Sequence, residues 1–160
     1  MIIVADSSPI ISLAQLHLYL IFKEEYKEFV IPKAVYDEVE IYLSEDKYAD
    51  VLKELHQRVH VLELVDKHQR LGLGEGEAQC LILYEKLSAD AILLDDHEAR
   101  IQFEHLGIPC LGTLAILMEF RTKEIVPQLN SLFRELLNRR RFFSRELLNS
   151  ILREFNEVEL

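Results

Sequence analysis

Residues 1–22 read MIIVADSSPIISLAQLHLYLIF, and the order of events within them decides the fold. Ile2–Ala5 is a short apolar run without polar alternation, the pattern of a strand buried on both faces of a parallel sheet. Asp6 closes that run, and Ser7, Ser8 and Pro9 lead into helical spacing over Pro9–Leu20. The same alternation continues outward along the chain. Phe29–Ile31, His60–Leu64, Ala91–Leu94 and Pro109–Leu111 read as further buried strands. Lys33–Leu43, Ala49–Arg58, Glu75–Leu87, Glu98–Leu106 and Leu114–Arg121 carry helical spacing between and after them. Strands and helices in turn predict a three-layer α/β/α sandwich around a mainly parallel sheet of about five strands. Beyond Lys123 the strand pattern stops. Val126–Arg139 places Leu129, Leu132, Phe133, Leu136 and Leu137 on one stripe, and Leu147, Leu148, Ile151, Leu152 and Phe155 repeat it after an N-cap at Ser144. Residues 1–123 thus read as an α/β domain. Residues 124–160 read as its C-terminal helical extension, a hairpin that packs on that core or on a partner.

Composition narrows the class. The chain has 160 residues, 49% of them hydrophobic, with 18 Lys and Arg against 28 Asp and Glu and a net charge of −10. That length suits one domain able to bury a core without covalent staples. Two cysteines, Cys80 and Cys110, exclude a disulfide scaffold and fit the reducing cytoplasm. No Lys or Arg precedes the first apolar stretch, and Asp6 interrupts it, so neither a signal peptide nor a membrane anchor is expected. Taken alone, the acidity argues against a nucleic-acid binder, because phosphate contacts want Lys and Arg.

The acids, however, are placed with a pattern. In parallel α/β sheets function gathers outside the carboxyl ends of the strands. Asp6 ends the first strand, and Asp95 and Asp96 end Ala91–Leu94. Either site alone is also a good helix N-cap. Glu38 shares a helical face with Ala34, Val35, Ile41 and Tyr42, and Glu77 lies one turn before Cys80 and Leu81. One glutamate bordering an apolar stripe ordinarily reaches solvent. Four segments delivering carboxylates to one sheet edge are a different matter, with only Lys33 and Arg100 nearby to pair with them. Such a cluster repels itself, and a divalent cation is the simplest remedy. Oxygen-only ligands select Mg²⁺ or Mn²⁺ over zinc, and such ions assist phosphodiester hydrolysis.

Asp6-Ser7-Ser8-Pro9 after the first strand, Glu38 in the helix after the second, Gly74-Glu75-Gly76-Glu77-Ala78 at a helix entry and Asp95-Asp96 with Ala99-Arg100 together resemble the PIN-domain family. The chain is most similar to its uncharacterised prokaryotic, VapC-like toxin branch, with GEGEA and DDxxAR motifs. Gly112-Thr113 after the fifth strand and the helical tail resemble that branch too, so the likeness spans essentially the whole chain. The resemblance implies a cytoplasmic endoribonuclease dependent on Mg²⁺ or Mn²⁺ that hydrolyses RNA phosphodiester bonds. It also implies the toxin half of a toxin–antitoxin pair, with RNA as substrate, a cognate antitoxin as partner and a homodimer as the working form. Carried over position by position, Asp6, Glu38, Glu77 and Asp96 match the catalytic, metal-holding quartet. Glu75 stands as the alternative to Glu77, and Asp95 as the alternative to Asp96. Ser8 matches the hydroxyl that follows the first acid, and Thr113 supports the site. Glu77 replaces the Asp usual in the wider family and reaches one methylene farther. A non-catalytic PIN-fold protein that binds a partner or RNA is the second reading, against which stands the retention of all four acids.

Other signals are weaker. Gly72-Leu73-Gly74-Glu75-Gly76-Glu77 imitates a dinucleotide loop, but Glu77 falls where the third glycine belongs and would repel a pyrophosphate. Its glycines read instead as a tight entry to the helix. His56 and His60 lack a third zinc ligand, His17, His68, His97 and His105 read as surface residues, and Cys80 and Cys110 as small core residues. A receiver module would want an acidic pair at Asp6 and a Lys after the fifth strand; a haloacid-dehalogenase-type phosphatase would want Asp-x-Asp. Neither pattern is present. The charge is also uneven: residues 1–120 hold 10 basic and 22 acidic groups, residues 121–160 hold 8 and 6. Arg139, Arg140 and Arg141, followed by Phe142 and Phe143, are the expected RNA-contacting run.

Overall fold

Ile3, Val4 and Ala5 (β1) and Ala91, Ile92 and Leu93 (β4) are buried at every position, as their unalternating sequence requires. The computed structural model describes residues 1–63 and 72–160. It divides into two units, Met1–Thr113 and Leu114–Leu160. In the first, β1 is followed by α1 (Ser7–Gln15) and α2 (Tyr19–Glu25), then β2 (Phe29–Pro32), α3 (Lys33–Tyr42), a 3-10 turn (Asp46–Tyr48), α4 (Ala49–His56) and β3 (Val59–His60). After the undescribed stretch come α5 (Glu75–Leu87), β4, α6 (His97–His105) and β5 (Cys110–Leu111).

The strands lie in the order β3-β2-β1-β4-β5, and all four pairings are parallel. Parallel crossovers are right-handed. Those running from β1 to β3 travel one way along the sheet and those from β3 to β5 the other, so their helices cover opposite faces. The expected three-layer α/β sandwich is therefore the fold. The direction reverses between β1 and β4, which makes their shared carboxyl edge the switch point of the sheet. Ala5 pairs with Leu93 there, and the Asp6 N–H donates to Leu93 O at 2.9 Å. Asp6 and Asp95 thus leave the sheet side by side.

The structure departs from the sequence reading by more than two residues at three element boundaries, and it adds α2, most of which lies beyond the helix expected there. The helix expected over Pro9–Leu20 ends at Gln15 because His17 turns left-handed, with φ 59°. His17 and Leu18 return their N–H groups to Ala14 O (3.0 Å) and Leu13 O (2.8 Å), a Schellman ending without glycine. The strand expected over His60–Leu64 is confined to Val59–His60; Val61–Glu63 lie outside the ladder, and Leu64 and His68 fall outside the described residues.

In the second unit, α7 (Thr113–Thr122, begun on the last residue of the first), α8 (Asn130–Asn138) and α9 (Arg145–Glu154) follow one another. The third departure is here: the helix expected from Val126 starts at Asn130. Pro127 keeps the residue before it out of helical geometry. The Glu157 carboxylate supplies the missing cap, accepting the N–H groups of Leu129 (2.8 Å) and Asn130 (2.8 Å) while pairing with Arg121 at 3.0 Å. Ser144 caps α9 as its sequence suggested, accepting from the Leu147 N–H at 3.1 Å. Phe133, Leu136, Leu148, Ile151 and Leu152 of the two stripes are buried, whereas Leu147 is 47% exposed.

Candidate active site

Asp6 caps the end of β1 with only 7% of its surface exposed. Parallel pairing to β4 puts it there, since the residue after Ala5 must emerge at the edge where the strands end. Burial pushes its carboxyl up to about 7, an effect the Ser7 N–H partly offsets and the charges of Glu77, Glu38 and Asp95 reinforce. Glu77 sits half-buried in the first turn of α5. Burial raises its pKa, the Gly74 N–H opposes the rise, and the charges of Asp96 and Glu38 add to it. Glu38 projects from α3, exposed, within the field of both. These mutual effects place five of the expected acids around one edge: Asp6, Glu38, Glu77, Asp95 and Asp96.

Each peripheral acid has a local anchor. Glu77 accepts the Gly74 N–H at 3.0 Å as part of a capping box. Asp96 is the N-cap of α6, accepting the Ala99 N–H at 2.8 Å. Asp95 is held more firmly: Thr113 donates its N–H at 2.7 Å and its hydroxyl at 2.6 Å, and Ser8 adds its hydroxyl at 3.3 Å. The two adjacent aspartates therefore face different neighbours, Asp95 toward Asp6 and Asp96 toward Glu77. Glu75 is exposed and accepts from Gln79 Nε2 at 3.3 Å. Arg139, Arg140 and Arg141 belong to the second unit.

Charge compensation is missing where the sequence suggested it would be scarce. Among the described residues, none of Asp6, Glu38, Glu77, Asp95 and Asp96 pairs with Lys or Arg. Lys33 is bound to Asp37, and Arg100 is committed to Glu104 at 3.3 Å and to Cys110 O at 3.4 Å.

Three residues contribute that the sequence reading did not single out as site residues. Gly76 lies in α5 with ordinary helical backbone, so its role is space rather than a turn. A Cβ there would stand 3.4 Å from Asp6 Oδ1 and 3.8 Å from Glu38 Oε2. Of the loop glycines, Gly72 is the left-handed one, with φ 69°. Gln79 is buried, accepts the Ala34 N–H at 3.3 Å and donates to Glu75, tying α5 to the start of α3 and so setting Glu77 against Glu38. Its place one turn after Glu75, on the inward face, was the available signal. Cys80, a core residue as expected, donates to Ala5 O at 3.7 Å beneath the acids; burial pushes its thiol well up. His56 packs edge-on against Tyr36, ring centres 5.2 Å apart.

Among the described residues, no group of three or more His, Cys, Asp and Glu side chains is placed to hold a metal ion as the side chains stand. Glu77, Asp95 and Asp96 are each engaged by hydrogen bonds of their own. The chemistry of the donor set nonetheless fits a hard cation: every donor is a carboxylate oxygen, and among the described residues none is paired with Lys or Arg.

A parallel α/β sheet that gathers carboxylates at its switch point has them where such sheets bind their ligands. A family model described as a PIN domain matches residues 2–157, and the chain belongs to the PIN-domain family. PIN domains are typically nucleases and generally use divalent metal ions. No curated protein matches the chain. The crystal structure of PAE2754 from Pyrobaculum aerophilum matches over 76% of this chain and 99% of that one, with a TM-score of 0.52 and 17% identity, a likeness of fold alone. Among the described residues, no helix is long and apolar enough to cross a membrane.

Proposed function

We propose that this chain is an endoribonuclease dependent on Mg²⁺ or Mn²⁺. The carrying observation is Asp6: a buried carboxylate at the switch point, with Glu77, Glu38 and Asp95 acting on it, Asp96 acting on Glu77 in turn, and no Lys or Arg partner among the described residues. A protein that only binds has no use for so costly a group. Asp6, Glu38, Glu77 and Asp96 are the residues that would hold the cation; Glu77 and Asp96 each keep one carboxylate oxygen clear of their backbone anchors. A bound divalent ion supplies Lewis acidity toward the phosphodiester and lowers the pKa of attacking water. The chain's own part is positional. Asp6 is fixed by the strand, Asp95 is fixed by Thr113 and Ser8, and a carboxylate of the cluster takes the proton of the attacking water. Glu77 takes precedence over Glu75 because it lies in the field of Glu38 and Asp96.

The toxin role, with a cognate antitoxin and a homodimer, extends this reading through the branch the motifs resemble. RNA cleavage with Mn²⁺ tests the enzyme: wild type should cleave, while Asp6→Asn and Glu77→Gln should lose at least about a hundredfold. Equal cleavage by all three, or none across varied RNAs, defeats the proposal. Expression that arrests growth in wild type but not in Asp6→Asn tests the toxin, and light scattering tests the dimer.

A further inference from the structure

The run Arg139-Arg140-Arg141-Phe142-Phe143-Ser144 joins α8 to α9. The helix ends in a Schellman motif, the N–H groups of Arg140 and Arg141 returning to Leu137 O and Leu136 O, both at 2.9 Å. Arg140 takes the left-handed position, φ 56°, and the chain is thrown outward after it. Phe142 is consequently fully exposed, at 101% of its reference surface. Arg139 is bound to Glu135 at 2.7 Å, but Arg140 is exposed and has no partner among the described residues. Beside this loop, Arg134, Leu137, Asn138, Arg145 and Leu160 line a cavity of about 150 Å³. Asn130 Oδ1 holds Arg134 Nε at 2.9 Å, which fixes that guanidinium in advance of any ligand.

We propose that this loop and cavity form a subsite for single-stranded RNA, in which Phe142 stacks on a base and Arg140, Arg134 and Arg145 take backbone phosphates. The subsite rests on the reading of the chain as a nuclease acting on RNA. Charge complementarity selects this occupant. Phe142 lies in a stretch with four arginines in seven residues, Arg139, Arg140, Arg141 and Arg145. An exposed ring within an arginine-rich loop is the combination that binds unpaired nucleotides, because every base offers a π-face and every link a phosphate. A duplex offers no open base face, so single strands are preferred. The basic excess of residues 121–160, against the strong acidity of residues 1–120, puts the attraction for a polyanion in this segment.

The test is fluorescence anisotropy of a short labelled single-stranded RNA in EDTA, where binding is read without cleavage. Wild type should bind, Phe142→Ala should weaken binding about tenfold, and Phe142→Tyr should restore it. Arg140→Gly should also weaken binding and lower the salt slope by about one, while its melting temperature rises because glycine suits a left-handed position. That opposite movement separates RNA contact from damage to the fold. Unchanged affinity in Phe142→Ala and Arg140→Gly overturns the subsite, as does a wild type that binds no RNA. So does a Phe142→Ala effect confined to oligomeric state, which marks a face for a second copy. Cleavage is scored separately with Mn²⁺: binding that depends on Phe142 without cleavage sinks only the nuclease, and cleavage with binding indifferent to Phe142 sinks only the subsite.

Discussion

Asp6 occupies a costly position for a carboxylate, and the cost depends on pH. Its pKa in the fold is about 7, against 3.8 for the free side chain. Between those values the folded protein holds a proton that the unfolded chain releases, so stability falls as pH rises from about 4 to 7. Above that window the penalty is complete. Asp6→Asn, which cannot ionise, should therefore be more stable than wild type at pH 8 by on the order of 2–4 kcal/mol and close to it at pH 4, while losing cleavage. Urea melts at both pH values check this; an Asn variant less stable at pH 8 defeats the account. Gly76 poses the complementary trial. An alanine methyl meets Asp6 and Glu38 at ordinary contact distance and favours the helix, so Gly76→Ala should fold at least as well as wild type. It should nevertheless lose cleavage and metal-induced stabilisation, because the methyl stands between the two carboxylates. At this scale the sequence declared its acids through their position after strands and on helix faces. It did not declare Gly76 or Gln79, whose roles depend on which helices meet.

The strands were legible because residues buried on both faces leave a continuous apolar run, as Ile3–Ala5 and Ala91–Leu93 do. Helix ends were harder, and the reason is chemical. Among the described residues, five that are not glycine take left-handed backbone: His17, Ser88, Glu124, Arg140 and Asn156. Among the helices, α6 ends on a glycine in that position, Gly107, with φ 76°. A reader looking for glycine therefore runs α1 through His17. The same feature makes a stability prediction. Glu124 is exposed at φ 57°, where glycine avoids the Cβ clash. Glu124→Gly should stabilise by about 0.5–1 kcal/mol, less than the 1–2 kcal/mol of the clash itself because glycine also gains freedom in the unfolded chain. A lower melting temperature for this variant would show that Glu124 has an interaction outweighing its strain. Thr113 carries the lesson in the other direction: Gly112-Thr113 was visible as a motif, but its hold on Asp95 emerged only once β4 and β5 were paired.

For the whole molecule, the net charge of −10 has two sources, and they respond differently to ions. Scattered surface acids are screened by any salt. The acids at the switch point, buried or held close, respond to a cation that binds among them. If the switch-point edge takes a divalent ion, Mn²⁺ at about a hundred times its dissociation constant should stabilise the fold by about 2.7 kcal/mol, or roughly 5–10 °C at this chain length. Sodium chloride of matched ionic strength should give little of that shift. The gain must also follow the protonation of Asp6. At pH 8 its carboxylate is ionised, repelled by its neighbours and available to the metal; at pH 5 it holds a proton that Mn²⁺ has to displace. The melting-temperature shift should therefore be large at pH 8 and small at pH 5 in wild type, and small at both in Asp6→Asn. An equal shift at the two pH values would place the ion elsewhere on the surface, among acids that are already ionised at pH 5.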